Sequence, residues 1–178
     1  MKLKIKVKRI NKNIPLPEVI DKGDWIDLRA AETVTLNAPQ ANILKRHKVK
    51  GVEERHRDVE FDTKLIKLGV AMELPAGYEA QVLPRSGTPK LNIFQTNSEA
   101  VIDNSFNGEN DEWRYWMTAL ADTTINEGDR ICQFRIQLSQ KATVWQKIKW
   151  LLSSGVEIVE VDELGNPDRE GIGSTGIK

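Results

Sequence analysis

Asp103 is an acid whose setting raises the question of what it does. It stands in AVIDNSFNG, Ala100 to Gly108, where a short apolar run meets a turn rich in asparagine, serine and glycine, with Phe106 three residues on. An acid where a strand enters a turn is rigid yet exposed, which suits a general base and equally suits a turn cap. Four other stretches carry groups that plain β structure does not need. WIDLRA sets Asp27 behind an apolar pair, and PRSG, Pro84 to Gly87, puts the guanidinium of Arg85 and the hydroxyl of Ser86 on a turn with open backbone N–H groups. GDRICQF leads from a turn through Arg130 into a strand bearing Gln133. GIGSTG, Gly171 to Gly176, offers Ser174 and Thr175 among glycines that let a backbone approach a ligand closely. Guanidinium, hydroxyl, amide and backbone donors with two isolated acids suit a phosphate chain accompanied by a hard cation. Taken singly, PRSG is an ordinary turn, GIGSTG a solvated tail and Asp27 a capping residue. Their joint order along one β-rich chain carries the reading.

The elements that must hold these groups have a dominant period of two. Leu3, Ile5 and Val7 alternate with lysines. Ile66, Leu68, Val70, Met72 and Leu74 alternate with smaller or polar residues before the turn Pro75-Ala76-Gly77. Cys132, Phe134, Ile136 and Leu138 alternate with Gln133, Arg135 and Gln137. Half-buried strands separated by turns predict an all-β sandwich or barrel. AVIDNSFNG reads as part of a short β-hairpin. One segment departs: in TVWQKIKWLLSSG, Val144, Trp145, Ile148, Leu151 and Leu152 fall near helical spacing, with lysines opposite and Gly155 beyond, which predicts a short amphipathic helix. Residues 38–60 are charged and without a clean period, so they are expected to form a long loop or inserted excursion. The tail ELGNPDREGIGSTGIK lacks core residues and is expected to be frayed, or a flexible arm over about 165–178 that orders on something.

The chain has 178 residues with 39% hydrophobic content, so one domain with a full core over residues 1–178 is expected. Basic and acidic residues balance at 26 each, so no global field favours nucleic acid or an anionic membrane, and neither is expected as a partner. Any anion site must be built locally. The single cysteine, Cys132, excludes an internal disulfide framework and suits a reducing compartment. MKLKIKVKR lacks an unbroken apolar stretch, and no apolar run approaches the roughly 18 residues of a membrane span. A soluble, cytoplasmic protein is the expectation. His47 and His56 lie together in the charged segment without further ligands nearby, which makes a poor metal site.

The ordered set IDLRA, PRSG, AVIDNSFNG, GDRICQF and GIGSTG resembles the five motifs of the trimeric deoxyuridine triphosphatases (dUTP diphosphatases), from about Asp24 to Lys178. Extra segments near 38–60, 107–118 and 141–155 interrupt it and resemble those of bacteriophage-type members, some of which also bind regulatory proteins. The resemblance implies a β jelly roll, a homotrimer with sites shared between subunits, and a C-terminal arm that closes over the nucleotide.

The resemblance also implies the reaction: Mg²⁺-dependent hydrolysis of dUTP to dUMP and pyrophosphate by water attack on the α-phosphorus. Asp103 would orient and deprotonate that water. Asn97 would read uracil through its side-chain amide. A tight hairpin would exclude a 5-methyl group, and hence dTTP. Phe106 stands where the family usually has tyrosine beneath the deoxyribose, and its ring would leave no room for a 2′-hydroxyl. Arg85, Ser86, Gly87 and Gln133 would contact the phosphates, Ser86 as charge develops. Asp27 would hold a water of the Mg²⁺. Arg130 would serve as an ion-pair partner or a ligand contact. In the fifth motif, Gly173 and Ser174 match the family, but Ile172 replaces the aromatic that stacks on uracil, and the run from Arg169 is shortened. Arg169 would clamp the γ-phosphate, and the missing stacking would cost binding roughly 1 kcal/mol.

Trp113, Tyr115 and Trp116, with Trp145 and Trp150, read as core or trimer packing, or else as a docking surface. Two other functions stay open at this point. One is a non-catalytic or moonlighting regulatory protein on the same fold, which would have no need of Asp103, Arg85, Ser86 and Gln133. The other is dCTP deamination, which the aspartate and the GSTG arm fit less well.

Overall fold

The computed structural model describes residues 1–169. Its strands are β1 (Leu3–Arg9), β2 (Ile26–Arg29), β3 (Val34–Leu36), β4 (Gln40–Val49), β5 (Val52–Glu60), β6 (Thr63–Lys67), β7 (Val70–Glu73), β8 (Tyr78–Pro84), β9 (Ile93–Gln95), β10 (Ala100–Ile102), β11 (Arg114–Ala119), β12 (Thr123–Ile125) and β13 (Arg130–Leu138). The helix α1 (Val144–Leu151) and the strand β14 (Val156–Glu160) follow. The strands form sheets ordered β10-β8-β13-β2, β14-β1-β7 and β6-β11-β9, with the pairs β12-β3 and β4-β5. They pack as the sandwich of a jelly roll, without a closed barrel among the described residues.

Alternation makes the core. Leu3, Ile5 and Val7 of β1 are buried while the lysines between them face out, and Phe134 and Ile136 of β13 join them in one cluster with Tyr78 and Val82 of β8. Trp113 and Tyr115 are fully buried, and the Trp113 ring meets Phe134 edge-on at 5.2 Å. The segment 107–118 is therefore partly core: its aromatics pack inward at Trp113 and Tyr115, because β11 lies between β6 and β9.

The alternating run from Ile66 to Leu74 is buried as expected but is two strands in two sheets. Gly69, at φ +69°, breaks it, and a Cβ there would meet Ala31 Cβ at 2.8 Å. Of the two expectations for residues 38–60, a long loop or an inserted excursion, the loop is not what forms. The segment forms the antiparallel pair β4–β5, with Lys45 bonded to Asp58 and His47 to Glu54 across it. The burial pattern of β5 is almost wholly exposed, so neither face needs apolar residues and no period of two is written there.

The predicted helix is present as α1. Thr143 caps it: its hydroxyl accepts from the Gln146 backbone N–H, while the Gln146 side chain accepts from the Thr143 N–H at 2.7 Å. Its apolar face is open in the single chain, with Trp145 79% and Leu151 80% exposed. Trp150 turns back, its ring 5.5 Å from Tyr78. No helix among the described residues is long and apolar enough to cross a membrane.

Candidate active site

The sequence candidates fall into two groups carried by one sheet. The first group lies where β2, β13 and β8 run side by side. Asp27 is directly opposite Gln133, which is opposite Leu83. Asp27 Oδ1 accepts from Arg85 Nε at 2.6 Å, and Oδ2 accepts from Arg130 Nη1 at 3.1 Å. Arg130 is thus an ion-pair partner that, with Arg85, holds the acid between two guanidinium groups. Gln133 Nε2 donates to the Pro84 carbonyl at 3.1 Å.

The PRSG turn is held from below. Buried Thr88 accepts from the Arg85 N–H at 2.9 Å and donates to the Ile131 carbonyl at 3.0 Å. This tie leaves Ser86 exposed at the crest. Gly87 has an ordinary φ of −86°, and a Cβ on it would meet nothing within 4 Å. Among the described residues, nothing requires glycine at that position. Burial pushes the Cys132 thiol well above its ordinary range, so it is no nucleophile.

The second group gathers around Asp103, at the end of β10. This strand pairs with β8 rather than forming the expected hairpin with the strand that follows. Its exit turn is pinned by Asn104, whose Nδ2 donates to the carbonyls of Leu74 at 3.2 Å and Pro75 at 2.8 Å. Asp103 keeps its side chain exposed, while Phe106 packs partly against the core. Arg169 Nη1 donates to Asp103 Oδ2 and to Ser105 Oγ, each at 3.0 Å. Asn97, exposed in the β9–β10 connection, accepts at Oδ1 from the buried Gln95.

Arg169 is positioned by contacts that no sequence pattern marked. Asn110 donates to Asp168 from both its backbone and its side chain, each at 2.7 Å, and the Arg169 N–H lies 3.0 Å from both carboxylate oxygens of buried Asp111. Gly108 makes room for this: a Cβ there would overlap the Asp168 backbone. Side-chain donation from Asn110 holds the Asp168 carboxyl below its usual range, and Lys8 does the same for Glu109, which also accepts from the Gly165 N–H. Ile172, Gly173 and Ser174 lie outside the described residues.

The two groups do not meet within one chain. Three strand spacings and four residues of strand separate Asp27 from Asp103, roughly 14 Å across the sheet and 13 Å along it, or about 19 Å in all. Among the described residues, no group of three or more histidine, cysteine, aspartate or glutamate side chains could hold a metal ion directly.

Comparison with known proteins adds an independent line. The dUTPase family model matches residues 55–149. The chain is 44% identical, over 99% of its length and all of the relative's, to the SPbeta prophage-derived deoxyuridine 5'-triphosphate nucleotidohydrolase YosS of Bacillus subtilis. It is 31% identical, with 99% of the chain and all of the relative covered, to the deoxyuridine 5'-triphosphate nucleotidohydrolase of a Hydrogenobaculum species. Among solved structures, a dUTPase variant from phage phi11 of S. aureus, described as revealing the coordination of a structural Mg(II) ion, superposes with a TM-score of 0.58 at 18% identity, covering 79% of this chain and 94% of that one. The dUTPase of Streptococcus mutans gives 0.56 at 19% identity, with 78% and 98% covered. Those structures speak for the fold, while the family model and the full-length relatives speak for kinship: this chain belongs to the dUTPase family.

Proposed function

We propose that this chain hydrolyses dUTP to dUMP and pyrophosphate, keeping uracil out of DNA and supplying dUMP for thymidylate synthesis. The observation that carries the detailed reading is the separation of about 19 Å between the Asp27 and Asp103 groups. One α-phosphorus cannot be served by both groups of a single chain, so neighbouring protomers of a homotrimer supply them.

Asp103 accepts a proton from water as its oxygen bonds to the α-phosphorus. The bond from that phosphorus to the bridging oxygen breaks, and pyrophosphate leaves. The protein's task is to align and to neutralise rather than to react covalently. Arg85, Ser86, the Gly87 backbone and Gln133 hold the phosphates. Arg169 leaves Asp103 for the γ-phosphate, and Ile172, Gly173 and Ser174 contact the nucleotide. Asn97 reads the base, and Phe106 lies beneath the sugar and excludes a 2′-hydroxyl.

Bound Mg²⁺ would supply charge neutralisation for the phosphates. The residues fit that mode. Asp27 already accepts from two arginines and, among the described residues, belongs to no cluster of metal-ligating side chains, so it suits contact through a water and not a protein cage. A cytoplasmic location accords with this substrate. The test is pyrophosphate release from dUTP, UTP, dTTP and dCTP with Mg²⁺, alongside an ammonia assay for deamination. Turnover confined to dUTP and abolished by Asp103→Asn supports the reading. Ammonia release, or an inert and correctly assembled protein, refutes it.

A second role, binding a regulatory protein, is favoured by the open apolar face of α1. A phage 80alpha dUTPase of similar fold is described as controlling transfer of virulence genes. Light scattering on a Trp145→Ala, Leu151→Ala variant decides what covers that face. Loss of the trimer makes it a subunit contact; an intact trimer leaves it for another protein.

A further inference from the structure

A relay of hydrogen bonds runs from the core to Asn97. Gln95 is 5% exposed; its Nε2 donates to the Val82 carbonyl at 3.1 Å and to Asn97 Oδ1 at 3.2 Å, and its Oε1 accepts from the Tyr115 hydroxyl at 3.2 Å. We propose that Gln95 is a positioning residue for base selection: it locks the Asn97 amide in the orientation that pairs with uracil and not with cytosine. The inference rests on the reading of Asn97 as a base contact.

Each link admits one orientation. The Val82 carbonyl can only accept, so the Gln95 amide must turn its NH₂ toward it. The far end of Gln95 meets Tyr115, fully buried, whose phenol burial holds well above its ordinary range and therefore protonated, a donor for Oε1. The second N–H of Gln95 then points at Asn97 and needs an acceptor. A flipped Asn97 would set NH₂ against NH₂ and leave a buried donor unpaired. Oδ1 is thus held on one lone pair. Its other lone pair, beside the Nδ2 hydrogens, is left for a ligand, and among the described residues Nδ2 bonds to no protein group.

That edge offers an acceptor next to a donor. Uracil presents N3–H next to the O4 acceptor and matches it. Cytosine presents the N3 acceptor next to the N4 amino group and opposes it at both positions. Turned over, the same amide would match cytosine and oppose uracil. Asparagine alone therefore does not specify the base; its orientation does, and a buried glutamine anchored to a backbone carbonyl sets that orientation.

The test compares kcat/KM for dUTP and dCTP in Gln95→Met, which keeps the volume and removes the amide. The dUTP:dCTP ratio should fall at least about tenfold, with the dUTP loss appearing in KM more than in kcat. An unchanged ratio in a variant with normal circular dichroism and assembly mass overturns the proposal. Asn97→Ala separates the two layers. If it alters neither nucleotide, the base-contact reading fails; if it raises KM for dUTP while Gln95→Met leaves the ratio alone, only the lock fails. Should Gln95→Met not fold, nitrogen-15 NMR of the unsubstituted protein decides. The Gln95 side-chain amide protons should be protected from exchange, and the Asn97 pair should shift with dUMP and not with dCMP. Rapid exchange at Gln95, or equal shifts with both nucleotides, overturns the lock.

Discussion

Arg169 Nη1 lies 3.0 Å from Asp103 Oδ2, so the root of the C-terminal arm is tied to the acid at the end of β10 of its own chain. Side chains 40% and 60% exposed make this a weak tie, about 1 kcal/mol or less. A phosphate offers the guanidinium two charged oxygens and a stronger, bidentate partner. Replacing Arg169 by alanine should therefore shift the melting temperature by no more than about 4 °C while raising KM for dUTP about tenfold. Thermal melts and steady-state kinetics read the two effects separately. An unaltered KM would remove Arg169 from the phosphate site.

Asp103→Asn keeps the shape of the side chain and loses the proton acceptor. Its expected signature is a fall in kcat of about 10²- to 10⁴-fold with little change in KM. Pyrophosphate release under saturating dUTP measures the first, and equilibrium binding of a non-hydrolysable analogue checks the second. A loss confined to KM would make Asp103 a binding residue.

The arm root should respond to acid. Glu109 and Asp168 both have carboxyls held below their ordinary values, chiefly by hydrogen bonds from Lys8 and Asn110 respectively. A depressed folded-state value means that the contribution is fully present above the ordinary carboxylate range and is lost as pH falls through the folded value. Docking of residues 165–169 should thus be constant from neutrality down to about pH 5 and should weaken below about pH 4. Limited proteolysis across that range should show cleavage near Gly165 rising at the acid end before the core unfolds. Cleavage independent of pH would mean that these bonds do not hold the arm.

Gly69 should tolerate a side chain poorly. Alanine there meets both a φ of +69° and the Ala31 side chain at 2.8 Å. The combined strain and overlap should cost about 2 to 4 kcal/mol, a fall in melting temperature of roughly 5 to 15 °C. Calorimetry of Gly69→Ala measures it directly. A fall of only a degree or two would mean that the β6–β7 junction relaxes freely.

The legible parts of this protein are those where burial and local chemistry leave a pattern. β1 and β13 each bury one face, so their alternation could be read directly, and α1 announced itself by apolar spacing. β4 and β5 bury neither face, so no period betrayed them. The site divides in the same way. Asp103, Arg85 and Gln133 sit in short stretches whose composition is odd for plain β structure. Asp111, Asn110, Thr88 and Gln95 act through contacts with residues distant in sequence, such as Arg169, Ile131 and Val82, and nothing local distinguishes an acid that docks an arm from one that faces water. Tyr115 looked like any core aromatic, since its hydroxyl partner lies on another strand.

The strongest consequence of the divided site is complementation. An Asp103→Asn protomer retains Arg85, and an Arg85→Ala protomer retains Asp103. If one site draws Asp103 from one protomer and Arg85 from its neighbour, each mixed trimer contains a single junction at which both intact residues meet. Refolding the two inactive variants together in equal amounts puts about three quarters of the trimers in mixed form, so about a quarter of the normal activity should return. Were both groups to act within one chain, every site in every trimer would carry a lesion and no activity would return. The two outcomes differ by far more than assay error, and neither depends on knowing the trimer's contacts. Mixing the folded variants without denaturation is the control, since subunits that do not exchange should stay inactive. Recovery only after co-refolding assigns the missing half of each site to a neighbour; no recovery, with mixed trimers verified by mass spectrometry, would require the Asp103 group and the Asp27–Arg85 group to come together inside one protomer.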